Sequence, residues 1–143
     1  MKNAPGKVLI IDADHATVET FAQMLRLEGH EVRTAPDARR GLAVASAFVP
    51  DAIVVGLRTP LLDGLGFIYQ FRAREADRVT PIAMVTGDDW PDEGISGELD
   101  RLGIHLCFKP LWLDDLRNLA GVLLAAPWGP AKQVPIIPPL PAA

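Results

Sequence analysis

In this chain of 143 residues a carboxylate, a hydroxyl and an ammonium each close a short apolar run: Asp12 after "VLII", Thr86 after "IAMV" and Lys109 after "HLCF". A fourth run, "AIVV", closes on Gly56, the place where a nucleophile would be sought. An acid can help hold a cation, and a hydroxyl beside an ammonium can hold an anion. Glycine supplies neither an attacking oxygen nor a ligand. These residues act together only if the fold gathers the ends of their runs, and that is a demand on the elements that carry them.

Short apolar runs alternate here with longer stretches of helical period, the pattern of a parallel sheet flanked by helices. "KVLIID" is the first strand, with four adjacent apolar residues that call for burial on both faces. A helix follows from His15 to Glu28, with Val18, Phe21, Ala22, Leu25 and Met24 on its inward stripe and Gly29 as its stop. "EVRTA" alternates as a half-buried edge strand does. "PDARRGLAVASAF" is the second helix, with Pro36 in the first turn and Leu42, Ala43 and Ala45 inward. "AIVVG" is a central strand and "LLDGLGFIYQFRARE" the third helix. "PIAMVTG" and "IHLCF" are the last two strands. The closing helix, "WLDDLRNLAGVLLAA", turns Leu113, Leu116, Leu119, Ala120, Leu123 and Leu124 inward.

Two segments break the rhythm. "GDDWPDEGISGELDRL" holds Pro91, Gly87, Gly94 and Gly97, so the fourth helix should be short and begin near Ile95 or Ser96, after a long mobile loop. "PWGPAKQVPIIPPLPAA" is punctuated by Pro127, Pro130, Pro135, Pro138, Pro139 and Pro141. It should be extended or disordered, leaving one domain at 1–126 and a tail at 127–143 that is either untethered or a polyproline docking segment. Five alternating units with right-handed crossovers give an α/β fold, a doubly wound five-stranded parallel sheet of order 2-1-3-4-5, flavodoxin-like. In that arrangement the crevice opens at the carboxyl ends of the strands, where Asp12, Gly56, Thr86 and Lys109 meet.

Bulk properties exclude several functions. A net charge of -4 with no basic block argues against direct binding of nucleic acid. Neither a signal-peptide pattern nor a run of roughly 18 apolar residues is present, so a soluble, cytoplasmic protein away from the membrane is expected. Cys107 lies in an apolar run and reads as a buried, inert thiol. His15, His30 and His105 are scattered without metal or triad spacing and read as surface or helix-end residues. No phosphate-cradling glycine loop, metal cluster or nucleophile–base pair supports an enzyme.

"VLIIDAD", "PDAIVVGLRTPLLDG", "AMVTG" and "FKP", in this order and at these intervals, resemble the receiver domain of two-component response regulators over residues 7 to about 125. The resemblance implies a carboxylate at the end of the third strand that accepts a phosphoryl group from a histidine kinase. It implies an acidic pair after the first strand that helps hold magnesium, and a hydroxyl and a lysine on the phosphoryl oxygens. Asp12 matches the first acid, Thr86 the hydroxyl, and Lys109 with Pro110 the lysine and its following proline, whose peptide bond is usually cis in the family. Ala13 stands at the second acid and Gly56 at the acceptor. This is the pattern of an atypical receiver.

Phosphoryl transfer needs an oxygen nucleophile in line and a metal ion for the developing charge. With Asp12 left alone, magnesium binding should be weak or lost. Asp51 begins the third strand and lies about 16 Å from its end at about 3.3 Å per residue, too far to substitute. Asp63 reads as an N-cap or turn residue opening the third helix. Asp14 can assist a cation but is no in-line acceptor. Gly56 also has a plain structural reading, a turn that demands positive φ. Lys109 would turn toward Asp12 or Asp14 if it enters the crevice, or else lie on the surface, and Thr86 can equally bond locally.

The family resemblance implies signalling through the face of the fourth helix, fifth strand and fifth helix, where an aromatic residue three before the lysine moves inward. Leu106 holds that position here, in a segment about one residue shorter than usual. Trp112 opens the last helix, where it is either an exposed contact anchor or part of the core. The first expectation is a stand-alone binding module, without an output domain, that contacts a histidine kinase, a phosphotransfer protein or another regulator, with a homodimer possible. The second is a regulator whose vacated crevice takes a small molecule or anion beside Thr86 and Lys109.

Overall fold

The computed structural model describes residues 6–55, 61–74, 80–86, 93–108 and 113–125. Strands β1 (Lys7–Ile11), β2 (Glu31–Ala35), β3 (Ala52–Val55), β4 (Ile82–Thr86) and β5 (Ile104–Phe108) alternate with five helices. These are α1 (His15–Leu27), α2 (Ala38–Phe48), α3 (Leu61–Arg74), α4 (Glu93–Arg101) and α5 (Leu113–Leu124). The strands form one parallel sheet of order β2-β1-β3-β4-β5, with a crossover between β2 and β3. The five-unit alternation and the strand order expected from sequence are the ones observed.

Burial on both faces explains why the central strands read as unbroken apolar runs. Val8, Ile10, Ala52, Val54, Ala83 and Val85 join Phe21, Leu25, Leu119 and Leu123 in one core layer, beneath α1 and α5. Leu9, Ile11, Ile53, Val55, Ile82 and Met84 join Leu42, Phe67, Ile68 and Leu99 in the other, beneath α2, α3 and α4. The strand period of two thus divides each strand's residues between two cores. Edge strand β2 buries only Val32 and Ala35, and the Arg26 Nη2 donates to the Val32 carbonyl at 2.9 Å. That contact occupies a backbone acceptor on a strand with one neighbour.

Local signals set most helix ends. Gly29 follows α1 with φ 98°, a conformation glycine adopts without strain. Asp37 caps α2, its Oδ1 accepting from the Arg40 amide at 2.8 Å. Pro36 therefore lies ahead of the cap rather than in the first helical turn. With the helix starting at Ala38, its inward stripe is Gly41, Leu42, Ala45 and Phe48, and Ala43 is exposed, contrary to the sequence expectation. Gly41 allows the close approach of α2 to β1, because a Cβ there would meet Ile11 Cδ1 at 2.5 Å. Helix α4 is short as expected but begins at Glu93, two to three residues before Ile95 and Ser96, since Gly94 is accommodated inside it. Helix α3 begins at Leu61, which places Asp63 within its first turn and not at its N-cap.

The amino ends of the strands are tied by polar side chains. Asp51 Oδ2 accepts from the Lys7 amide at 3.0 Å, and the Asp51 amide donates to the Lys7 carbonyl at 2.8 Å. Arg72 of α3 donates to the Thr80 carbonyl at 2.6 Å and to the Leu102 carbonyl at 3.1 Å, joining the approaches to β4 and β5. His30 is buried but stands just past the end of α1, one of the two places expected for it, and His15 is exposed at the start of α1; His105 is buried within β5, which corrects the expectation of a surface or helix-end position for it. His30 accepts from the Gly6 amide through Nδ1 at 3.2 Å. His105 lies two residues before Cys107 on β5 and so shares its strand face. No helix among the described residues is long and apolar enough to cross a membrane. The tail at 127–143 and the loop before α4 lie outside the described residues.

Two predictions follow from strain and burial. Val49, the C-cap of α2, is β-branched, 56% exposed and left-handed at φ 52°. Val49→Gly should stabilise the fold by about 0.5–1 kcal/mol, strain relief exceeding the added chain entropy, read as a higher urea midpoint at unchanged slope. Burial, partly offset by Glu28, lowers the pKa of His30 below its ordinary 6.5. Neutral His30 therefore contributes stability that is full above pH 6.5 and lost as pH falls through its folded value. An NMR titration should show the His30 ring resonances moving below pH 6.5, together with falling thermal stability.

Candidate functional site

The crevice at the carboxyl ends of the strands is built outward from β1. Because β1 is paired on both edges and covered on both faces, the residue that follows Ile11 is held inside: Asp12 is 3% exposed. Its amide donates to the Ala35 carbonyl at 3.0 Å, carrying the β1–β2 pairing past the last strand residue. Its carboxylate Oδ1 accepts from the Asp14 amide at 2.8 Å. A buried carboxylate needs such donors, and this one is supplied by the chain's own turn into α1.

That turn decides what the two following residues do. Ala13 is exposed and carries no polar atom on its side chain. Asp14 takes the N-cap place of α1 with extended backbone, and its carbonyl accepts from the Val18 amide at 3.0 Å. Its side chain does not cap a backbone amide. Asp14 Oδ2 instead accepts from the Thr17 hydroxyl at 2.8 Å, turning toward the first helical turn. Sequence reading missed this contact, although the three-residue spacing of acid and threonine at a helix start was the available signal.

Strand β3 ends level with β1, and β4 and β5 run two residues further. Val55, the last residue of β3, is in register with Ile11, and Thr86, the last of β4, is in register with Phe108 at the end of β5. The backbone of Thr86 is thereby fixed at the mouth of the crevice, while its side chain lies outside the described residues. Gly56, Lys109, Pro110 and Trp112 lie outside them as well. Leu106 is described: it is half-buried, level with Met84, and packs against the core under α3 and α4. Asp51 stands at the opposite, amino end of the sheet, on the Lys7 amide. Among the described residues no three His, Cys, Asp or Glu side chains are grouped to hold a metal ion.

The sequence model of the response regulator receiver domain matches residues 8–119. This chain belongs to the response regulator receiver family. The receiver is 33% identical over 112 residues to response regulator MprA of Mycolicibacterium vanbaalenii, a match covering 78% of this chain and 47% of that protein. It is 33% identical over 110 residues to transcriptional regulatory protein PrrA of Mycobacterium tuberculosis, covering 77% and 46%. The chain spans about half the length of the curated relatives it matches. Among solved structures, chemotaxis response regulator CheY4 of Vibrio cholerae superposes with a TM-score of 0.72 at 27% identity, over 85% of this chain and 100% of that one. The flavodoxin-like arrangement of the receiver and its place in two-component signalling rest on these matches together with the sheet order.

Cys107, on β5, is 3% exposed, and burial with the nearby Asp115 pushes its thiol pKa up to about 11. The thiolate is the reactive form, so this thiol should be silent at neutral pH. A disulfide reagent at pH 8 should label no cysteine in the native receiver and one per chain after denaturation in urea.

Proposed function

We propose that this receiver works in two-component or phosphorelay signalling by contacting other proteins without forming an aspartyl phosphate. The reading is carried by one observation in the chain, Gly56 directly after Val55 at the close of β3, where the family's acceptor carboxylate would stand. Phosphoryl transfer to a protein requires a nucleophilic oxygen in line with the leaving group, and a glycine has none.

The neighbouring residues support the same reading. Ala13 replaces the second acid, and the Asp14 carboxylate is engaged by Thr17. Magnesium takes near-octahedral oxygen coordination and dehydrates reluctantly, so a donor set of Asp12 with a diverted Asp14 fits it poorly. Asp12, Thr86, Lys109 and Pro110 then remain as a degenerate pocket, with Ala13 and Gly56 as its vacated positions. Leu106 and Trp112 belong to the contacting face. The partner is a signalling protein, namely a histidine kinase, a phosphotransfer protein or another regulator, or a second copy of the chain. The acidic balance favours these over direct contact with nucleic acid. The receiver is read as cytoplasmic and non-enzymatic.

A second reading draws on the buried Asp12 and the Thr86 backbone at the same sheet end. A pocket that keeps a carboxylate, a hydroxyl and a lysine can bind a small polar molecule or an anion. A ligand of the native state raises the melting temperature, so a thermal-shift screen of phosphate, carboxylates and nucleotides separates the two readings.

The first reading is tested by incubating the receiver with acetyl phosphate and magnesium and weighing the intact chain. The wild type should gain no phosphoryl group. The double variant Ala13→Asp, Gly56→Asp should gain one, labile at alkaline pH as an acyl phosphate is. Labelling of any wild-type aspartate would overturn the reading.

A further inference from the structure

At the end of the sheet away from the crevice, α1, β1, β2 and α5 meet around one titratable ring. His30 stands in the turn between α1 and β2, buried, its amide donating to the Leu25 carbonyl at 3.1 Å. Its Nδ1 accepts from the Gly6 amide at 3.2 Å, and the Gly6 carbonyl accepts from the Glu31 amide at 3.0 Å. Gly6, the residue before β1, is thus held through both of its polar groups. The end of α5 closes over the same residue, because a Cβ on Gly6 would stand 2.6 Å from Leu124 Cδ2.

The charged groups of these elements are disposed unequally around the ring. Glu28, at the end of α1, favours its protonation, and Glu28 Oε2 lies 3.9 Å from Arg117 Nη1 on α5. The others are turned elsewhere. Arg26 donates to the Val32 carbonyl, the Lys7 ammonium reaches the Phe48 carbonyl and ring, Asp51 accepts from the Lys7 amide, and Glu31 is exposed.

We propose that His30 is a proton-operated clasp joining the entry of β1 to the end of α5, closed when the ring is neutral and open when it is protonated. Only a neutral imidazole keeps a lone pair on Nδ1; an imidazolium donates from both nitrogens and would face the Gly6 amide donor to donor. The Gly6 amide then loses its acceptor in a half-buried place. The charged ring also competes with Arg117 for Glu28, which loosens a second tie between α1 and α5. Protonation and opening are linked: burial in the closed clasp disfavours the charged ring, so the proton favours the open one, and opening sets in as pH falls below 6.5. The chain continues from this end of α5 into residues 126–143, so the clasp acts on the point from which that segment starts. It does not rest on the phosphate-independent reading.

Two-dimensional NMR of the full chain from pH 8 to pH 5 tests it, with ring and amide signals followed together. The amides of Gly6, Glu31, Arg117 and Leu124 should shift with the midpoint of the His30 ring, while those of Gly41 and Ala45 in α2 should not. Exchange of the Gly6 amide, corrected for its intrinsic pH dependence, should rise about fivefold across the transition. His30→Asn supplies an uncharged acceptor and should abolish these responses. Glu28→Gln should lower the ring midpoint and remove the response at Arg117, leaving that at Gly6. A ring that titrates while the Gly6 and Leu124 amides stay still, a response spread evenly through the strands, or one retained in His30→Asn would overturn the proposal. Should His30→Asn fail to fold, the wild-type and Glu28→Gln titrations decide it alone.

Discussion

Strand β1 is hydrogen-bonded on both edges and covered on both faces, and the rest of the receiver is arranged by that burial. A strand with no exposed side needs a helix layer on each face and a neighbour on each edge, so the crossover between β2 and β3 is placed beside it. The same constraint carries past the last strand residue. The hydrogen bond from the Asp12 amide to the Ala35 carbonyl holds the backbone in line with β1, and the buried carboxylate takes the Asp14 amide as donor. The local geometry of the crevice follows from how the chain leaves its most buried strand.

The two ends of the sheet are stabilised differently. At the amino ends, side chains bind backbone groups of distant segments: Asp51 on Lys7, His30 on Gly6, Arg72 on Thr80 and Leu102. Each such bond joins two elements and opposes their separation. At the carboxyl end of β1 the backbone ties Asp12 to Ala35, while the described side-chain contacts are local, Asp12 to Asp14 and Asp14 to Thr17, within one turn of chain. Local bonds fix the shape of a turn without tying it to neighbouring strands. That asymmetry suits a domain whose amino end is a frame and whose carboxyl end meets ligands or partners.

Much of this architecture was legible in the sequence, because periodicity reports burial directly. "VLII" and "AIVV" demanded two covered faces, and the alternating "EVRTA" an edge. What was not legible depended on phase and on tertiary contact. Ala43 was assigned inward because the helix start was taken from Pro36, and the cap at Asp37 rotated the buried stripe onto Gly41 and Phe48. His105, lacking metal or triad spacing, reads from sequence as a surface or helix-end residue, yet a strand position on the face of Cys107 goes inside whatever its side chain. Of the pocket residues, the end-of-strand placing of Asp12 and of the Thr86 backbone followed from topology. The diversion of Asp14 to Thr17 was signalled only by their three-residue spacing, which does not by itself fix the rotamer.

The proposed loss of the acceptor bears on the energetics of switching. A ligand or modification shifts a two-state element only by the difference in its affinity for the two states, and moving a population from 1:99 to 99:1 takes about 5.5 kcal/mol. A phosphoryl group with three strong acceptor oxygens is a large source of such bias. On the proposed reading that source is gone, and whatever moves this receiver must act through ordinary protein contacts, with less to contribute. The demand then falls on the element being moved. The two states must then lie close in free energy, because a small gap is what a weak input can cross.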